Sequence, residues 1–320
     1  MSATLALPAW RYNAADQLRR VGVEIEMNGL GLDGLSDTVA RLLGLTVTAR
    51  GRYERALHGD PAGDWEVEVD FRLLKQWGRE VDKRPAEEAL KRLAEPLVPL
   101  ELVSPPLPLD RLADVERIIV ALRAAGAKGT SDAITNAFGM QLNPELPNTD
   151  ASTITRYLKA YLCLQDWLFE RAHVNLARRA TPYVDPLPAS YARKVVEPSY
   201  WPALDALIDD YLADNPTRNR ALDLLPLFAF VDEARVRRAV DDPLVKARPT
   251  FHYRLPNSEI HRPDWDFAGV WNDWLQVERL AADDARLAAC CAAYSKFRER
   301  PLHRLLGDWT PVVAARWLAP

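Results

Sequence analysis

Residues 19–29 read RRVGVEIEMNG, and the alternation inside them constrains the fold more than any other feature of the chain. Val21, Val23, Ile25 and Met27 fall on one face of an extended strand, and Gly22, Glu24 and Glu26 on the other. A strand advances about 3.3 Å per residue, so the two carboxylates stand roughly 6.5–7 Å apart. Such a strand belongs to a sheet with one packed face and one polar face, as antiparallel sheets commonly have.

Four further segments repeat the pattern. In DWEVEVDF, Trp65, Val67 and Val69 alternate with Glu66, Glu68 and Asp70. In VPLELVSPPL, Glu101 lies between Leu100 and Leu102; in AFGMQLNPEL, Phe138, Met140 and Leu142 alternate with Gly139, Gln141 and Asn143. In PTFHYRLPNSEI, Phe251, Tyr253 and Leu255 alternate with His252 and Arg254. A merely solvated strand face favours Thr, Ser, Lys and Arg, whereas three of these strands carry mainly carboxylates. Paired neighbours would hold those carboxylates only ~5 Å apart, where like charges destabilise. A cation should compensate, and a hard divalent ion with oxygen ligands does so. Glu24 and Glu26 are therefore read as metal ligands.

Opposite charge comes from DNPTRNRALDLLPLF, which sets Arg218 and Arg220 among Asn215, Thr217 and Asn219 ahead of an apolar helix, and from Arg248 and Arg254. Arginine forks and helix N-termini suit phosphate oxygens; arginines that cap or pair at helix ends are the plainer alternative. Carboxylates and arginines together suggest a nucleotide-phosphate site, although no GxxxxGK[ST] or GxGxxG loop is present. The glycines of NGLGLDGLSD are assigned to turns.

The net charge of −4 gives no footing for nonspecific binding to nucleic acid or to an anionic membrane. No apolar run approaches the ~18–20 residues of a membrane span, and the N-terminus lacks the pattern of a signal peptide. A cytoplasmic protein is expected. Cys163 stands alone and Cys290 and Cys291 are adjacent; neither spacing is a metal knuckle, adjacent cysteines on a helix do not form an ordinary disulfide, and all three are read as buried free thiols.

Helical patterns dominate the second half: 151–180, 265–297, and shorter ones at 200–214 and 218–230, with 85–95 and 110–125 earlier. Trp265, Trp271 and Trp274 are assigned to helical core packing. Strands from the first half and near residue 251 together predict an α+β fold with an antiparallel-rich sheet backed by helices. One domain over 1–320 is expected, its motifs within 19–275 and its last helices, 276–320, packed on that core.

The ordered motifs GVEIEMN, WEVEVD, ELVSPPL, FGMQLNPE, NPTRNRALDLLP and RPTFHYRLPNSEI resemble the amidoligase family, a branch of the carboxylate–amine ligases related to glutamine synthetase and glutamate–cysteine ligase. The resemblance implies a glutamine-synthetase-like curved sheet with ATP and Mg²⁺ or Mn²⁺ on its concave face. By position it makes Glu24 and Glu26 metal ligands, together with Glu68 or Asp70, and Glu101. Arg218, Arg220 and Arg254 become the phosphate-facing, catalytic arginines, with Asn143 beside the nucleotide. The chain departs from its better-studied relatives at Gln141–Leu142–Asn143, where they carry His-x-His, and at His252, where they carry glutamate. Gln141 or Asn143, with His252, would then complete the metal set.

The implied reaction is ATP-dependent. A carboxylate is phosphorylated to an acyl phosphate, which an amine attacks, on an amino acid, peptide or other small substrate. Glu145 and Glu259 are candidates to receive the amine, against the plainer reading of loop carboxylates. The rival readings are a phosphotransferase without an amine acceptor and a catalytically altered nucleotide-binding or interaction protein. The sequence leaves the oligomeric state open.

Overall fold

The computed structural model describes residues 5–69, 99–132, 138–172, 184–299 and 308–319. Asp70 and the helix expected at 85–95 lie outside the described residues. The fold is α+β, with nine strands and ten α-helices among the described residues and antiparallel pairing in every register given below. The chain forms two compact units and passes between them inside two strands, at Val21–Gly22 and at Gln141–Leu142.

The first unit comprises Gly22–Gln141 and Asn257–Phe267. Its strands are β1 (Arg20–Met27), β2 (Thr46–Ala49), β3 (Glu54–His58), β4 (Trp65–Val69) and β5 (Leu100–Val103), in the spatial order β2-β3-β4-β5-β1. A short β6 (Leu107–Pro108) also pairs with β1. The alternation expected in β1 holds: Val21, Val23, Ile25 and Met27 are buried and the residues between them are not. Trp65, Val67 and Leu102 continue the same apolar face. Helices α1 (Leu32–Leu43) and α2 (Ala113–Ala124) contribute Leu35 and Val39, and Ile118, Ile119 and Leu122, to the unit's core. The turn expected across residues 28–37 is correct only as far as Gly31, because the apolar stripe Leu35–Val39 carries α1 past Gly34.

The second unit comprises residues up to Val21, Leu142–Pro256 and Ala268–Pro320. Strand β7 (Met140–Pro144) enters it and pairs with β9 (His252–Tyr253), which pairs with β8 (Leu222–Asp223). Helix α3 (Ala151–Arg171) runs buried through the unit; α4 (Ala189–Val196), α5 (Leu204–Asp214), α6 (Leu225–Val231) and α7 (Glu233–Ala239) follow. The single helix expected over 265–297 is two, α8 (Phe267–Ala281) and α9 (Asp284–Arg298), because the Asp283 carboxylate caps Arg286 N–H and starts a new helix. The helix expected from 218 begins only at Leu225, since Leu222 and Asp223 join the sheet. A last helix, α10 (Thr310–Arg316), packs on α3. Trp271 and Trp274 are buried in this core as expected, Trp274 against Tyr253 at 5.1 Å between ring centroids, whereas Trp265 precedes α8 and is only half-buried.

Candidate functional site

Antiparallel register turns the acidic alternation of the first unit into a line. Glu54 of β3 stands opposite Glu68 of β4, Glu68 opposite Glu101 of β5, and Glu101 opposite Glu26 of β1. Four carboxylates thus cross four neighbouring strands in one row, with Glu24 and Glu66 one step along the same face, on either side of Val103. Glu54 belongs to a strand that ERALH conceals, because Ala56 and Leu57 are both buried and blur the alternation.

Compensation is built unevenly along the row. At the β1 end, Gly139 N–H donates to Glu26 Oε2 at 2.7 Å. The Gln141 amide donates to both Glu26 Oε1 (3.3 Å) and Glu101 Oε1 (3.1 Å). At the β3 end, Arg50 reaches Glu66 at 2.7 Å and Glu54 at 3.6 Å. Those contacts are well exposed, so solvent screens them to small energies. Glu101, by contrast, is only 3% exposed. Oxygen donors in a row are the right kind for a hard cation. Among the described residues, however, no three or more His, Cys, Asp or Glu groups gather closely enough to hold a metal ion.

In the second unit, the polar face gathers positive charge around one buried carboxylate. Arg254 Nη2 lies 2.9 Å from His252 Nδ1 and 3.6 Å from Asp223 Oδ2. Asp223 stands opposite His252 in register and is 1% exposed. Burial pushes its carboxyl up to about 6, against the opposing pull of Arg254, the Leu225 N–H it caps, Arg248 and Arg218. A guanidinium can only donate, so His252 Nδ1 accepts and the ring proton sits on Nε2. In that tautomer neither ring nitrogen offers a cation a lone pair. Arg248 donates to Asn143 Oδ1 at 2.7 Å.

The remaining predicted residues divide. Arg220 is committed to backbone, donating to Pro186 O and to Asp214 O at the end of α5. Arg218 approaches Asp242 at 3.9 Å. Glu145 accepts from Asn13 Nδ2 and Arg20 N–H, both at 2.9 Å, and so ties down the N-terminal segment. Glu259 accepts from Ser131 Oγ, Ser131 N–H and Asn257 Nδ2. Both glutamates are half-buried and held in structural contacts. Asp223 escaped the sequence reading; its flanks in RALDLLP, apolar on both sides, are the signal that it is buried.

Fold and polar faces together define an α+β protein with ionisable groups concentrated and partly buried on its strands, an arrangement typical of reactive sites. The chain belongs to the amidoligase family: the family model described as "Putative amidoligase enzyme" matches residues 17–276. Membership indicates an enzyme of the amidoligase type. No curated protein matches the chain. Among the described residues no helix is long and apolar enough to cross a membrane.

Proposed function

We propose that this protein is an ATP-dependent carboxylate–amine ligase that forms an amide or peptide bond through an acyl phosphate. The row Glu54–Glu68–Glu101–Glu26 carries the reading, in a chain of the amidoligase family. Four like charges in register cost stability unless they serve to attract a cation. Mg²⁺ is commonly held by one or two carboxylates, with nucleotide phosphates and water completing its shell, and this demand fits a row that does not converge on one point. Glu26 and Glu101 would hold Mg²⁺ or Mn²⁺, with Glu24 and Glu68 next on the same face. When bound, such an ion withdraws charge from phosphoryl oxygens.

The chain's own residues supply the rest. In the second unit, Arg254, fixed by Asp223 and His252, and Arg218 carry guanidinium groups of the kind that suits phosphoryl oxygens. Arg220, bonded to two carbonyls, holds the loop that carries Arg218. Asn143 holds Arg248 through its side-chain oxygen and is the candidate nucleotide contact of β7. Activation by phosphorylation needs no enzyme nucleophile. The substrate is a small molecule or peptide that presents a carboxylate, and the acceptor is an amine.

A second reading rests on Gln141. Its amide hydrogens point at both Glu26 and Glu101, where a cation would otherwise sit. This favours a nucleotide-binding protein with altered catalysis.

Calorimetric titration of ATP with and without Mg²⁺ or Mn²⁺ tests the proposal, on the wild type and on a Glu24→Gln/Glu26→Gln variant. Metal-dependent binding lost in the variant, followed by ADP release and an amide product with amino-acid and amine pairs, supports the ligase. Binding without ADP release supports the second reading, and ADP release with a phosphorylated product alone indicates a phosphotransferase. Absence of metal-dependent ATP binding overturns the proposal.

A further inference from the structure

All three cysteines of the chain belong to the second unit, and the fold brings Cys163 to the adjacent Cys290 and Cys291, the Cys163–Cys291 contact spanning 128 residues. Cys163 in α3 and Cys291 in α9 are both buried, with their Sγ atoms 3.7 Å apart and sharing a hydrogen bond. A disulfide brings its sulfurs to about 2.05 Å, so closing this pair needs a movement of roughly 1.6 Å, within reach of small side-chain rotations.

The surroundings give the two thiols different roles. Lys159 lies one helical turn before Cys163 on α3, with its buried ammonium 2.6 Å from Glu197 O. The hydrogen bond from Cys163 pulls the Cys291 thiol below its ordinary value, and the Lys159 charge adds to this, while burial opposes it. Cys163 is pushed up by its bonds to Cys290 and Cys291 and by burial. Of the two sulfurs, Cys291 is the one whose surroundings favour the thiolate, which suits it to act as nucleophile with Cys163 as the resolving thiol.

The same two helices also line a cavity of about 840 Å³, through Gln165 of α3 and through Tyr294 and Phe297 of α9, together with Trp309. Gln165 is two residues beyond Cys163 and Tyr294 three beyond Cys291, and the Trp309 indole donates to Cys163 O at 2.8 Å.

We propose that Cys163 and Cys291 are the two ends of a reversible disulfide formed when the protein meets hydrogen peroxide. The Cys291 thiolate attacks one peroxide oxygen and the O–O bond breaks. The departing hydroxide becomes water with the proton that Cys291 had released, leaving a sulfenic acid. Cys163 sulfur then attacks Cys291 sulfur; the S–O bond breaks, and hydroxide leaves with the Cys163 proton as a second water. Two thiols lose two electrons and two protons, and one peroxide is reduced to two waters. The bond staples α3 to α9.

Peptide mapping of the full chain tests this. Reduced protein is treated with hydrogen peroxide, unfolded in an alkylating agent and digested with trypsin. The expected product joins peptide 160–171 to peptide 287–296, leaves one thiol alkylated and reverts with reductant. Cys290→Ser keeps the bond; Cys163→Ser and Cys291→Ser lose it. The oxidised wild type unfolds at a higher temperature than the reduced form. Three alkylated thiols after treatment, sulfinic or sulfonic products instead of a cross-link, or a bond that survives Cys291→Ser would each overturn the assignment. The wild-type map and the Cys290→Ser variant decide the question even if the other variants do not fold.

Discussion

Glu101 of β5 stands directly opposite Glu26 of β1, and one carboxamide, that of Gln141, donates to both. Two carboxylates in register on adjacent strands repel, and the Gln141 amide, with Gly139 N–H on Glu26, offsets part of that repulsion. A bound cation would offset more of it.

Glu101→Gln should separate the cost of the row from its use. Removing one like charge from a directly opposed pair is worth about 0.2–1 kcal/mol. The variant should therefore melt about a degree or two above the wild type without metal. It should also lose the rise in melting temperature that the proposed function expects Mg²⁺–ATP to give the wild type. Differential scanning fluorimetry with and without Mg²⁺–ATP reads both effects. A variant that keeps the ligand-induced rise would remove Glu101 from the cation site.

Asp223 sets a pH dependence whose sign is fixed by burial. Its folded-state carboxyl is raised from 3.8 to about 6, so the folded chain holds this proton more tightly than the unfolded chain. The resulting stabilisation is fully present below the unfolded value and is lost as pH rises through about 6. A shift of this size corresponds to about 3 kcal/mol. Asp223→Asn cannot ionise and keeps an oxygen for Leu225 N–H. Urea denaturation of both proteins from pH 4 to 7.5 should therefore show the wild type losing stability relative to the variant across that window. A pH-independent difference would show that Asp223 ionises in the fold as easily as in the open chain.

What the sequence made legible follows from which physical signal each element carries. The strands at 20–27, 65–69 and 100–103 alternate cleanly because one face packs and the other is polar, so their carboxylates could be placed on a face. Which carboxylates oppose one another could not be read, because register is set by long-range pairing. The row through Glu54 needed a strand whose buried pair Ala56–Leu57 breaks the alternation. Asp223 needed β8 to lie beside β9, an approach of segments about thirty residues apart that no local pattern encodes. Helix α1 was hidden for a different reason: its glycines look like turn residues until Leu35 and Val39 are given a sheet to pack on. Cys163 and Cys291 meet only because α3 and α9 pack side by side.

Gly129 marks a close approach within the first unit that tolerates no side chain. A Cβ there would lie 2.2 Å from Ser258 O and 2.9 Å from His261 Nδ1. Thr130 N–H donates to the same Ser258 carbonyl at 2.7 Å, so the backbones cannot separate without breaking that bond. Gly129→Ala should destabilise the protein by about 1–3 kcal/mol, the usual cost of overpacking. Amide hydrogen exchange should quicken at Thr130 and Ser258 relative to the wild type. Unchanged protection at both amides would mean that the loop shifts without cost.

The buried pair Arg19–Glu278 makes the sharpest stability prediction in the second unit. One carboxylate accepts four hydrogen bonds: two from Arg19 at 2.7 and 2.8 Å, one from Tyr157 Oη at 2.8 Å and one from Trp274 Nε1 at 3.0 Å. Both charged side chains are about 1% exposed. Glu278→Gln keeps the shape but replaces one acceptor oxygen with a donor and leaves the guanidinium without its counter-charge. Breaking one side of a buried pair costs about 3–5 kcal/mol, most of it for the charge left behind. Arg19→Met removes that stranded charge, so it should cost less in the Glu278→Gln background than in the wild type, and the two changes together less than the sum of their separate effects. Urea denaturation of the four proteins closes the cycle. If the two effects simply add, Arg19 and Glu278 are not held by each other, and the N-terminal segment is anchored instead by Glu145 and its bonds to Asn13 and Arg20.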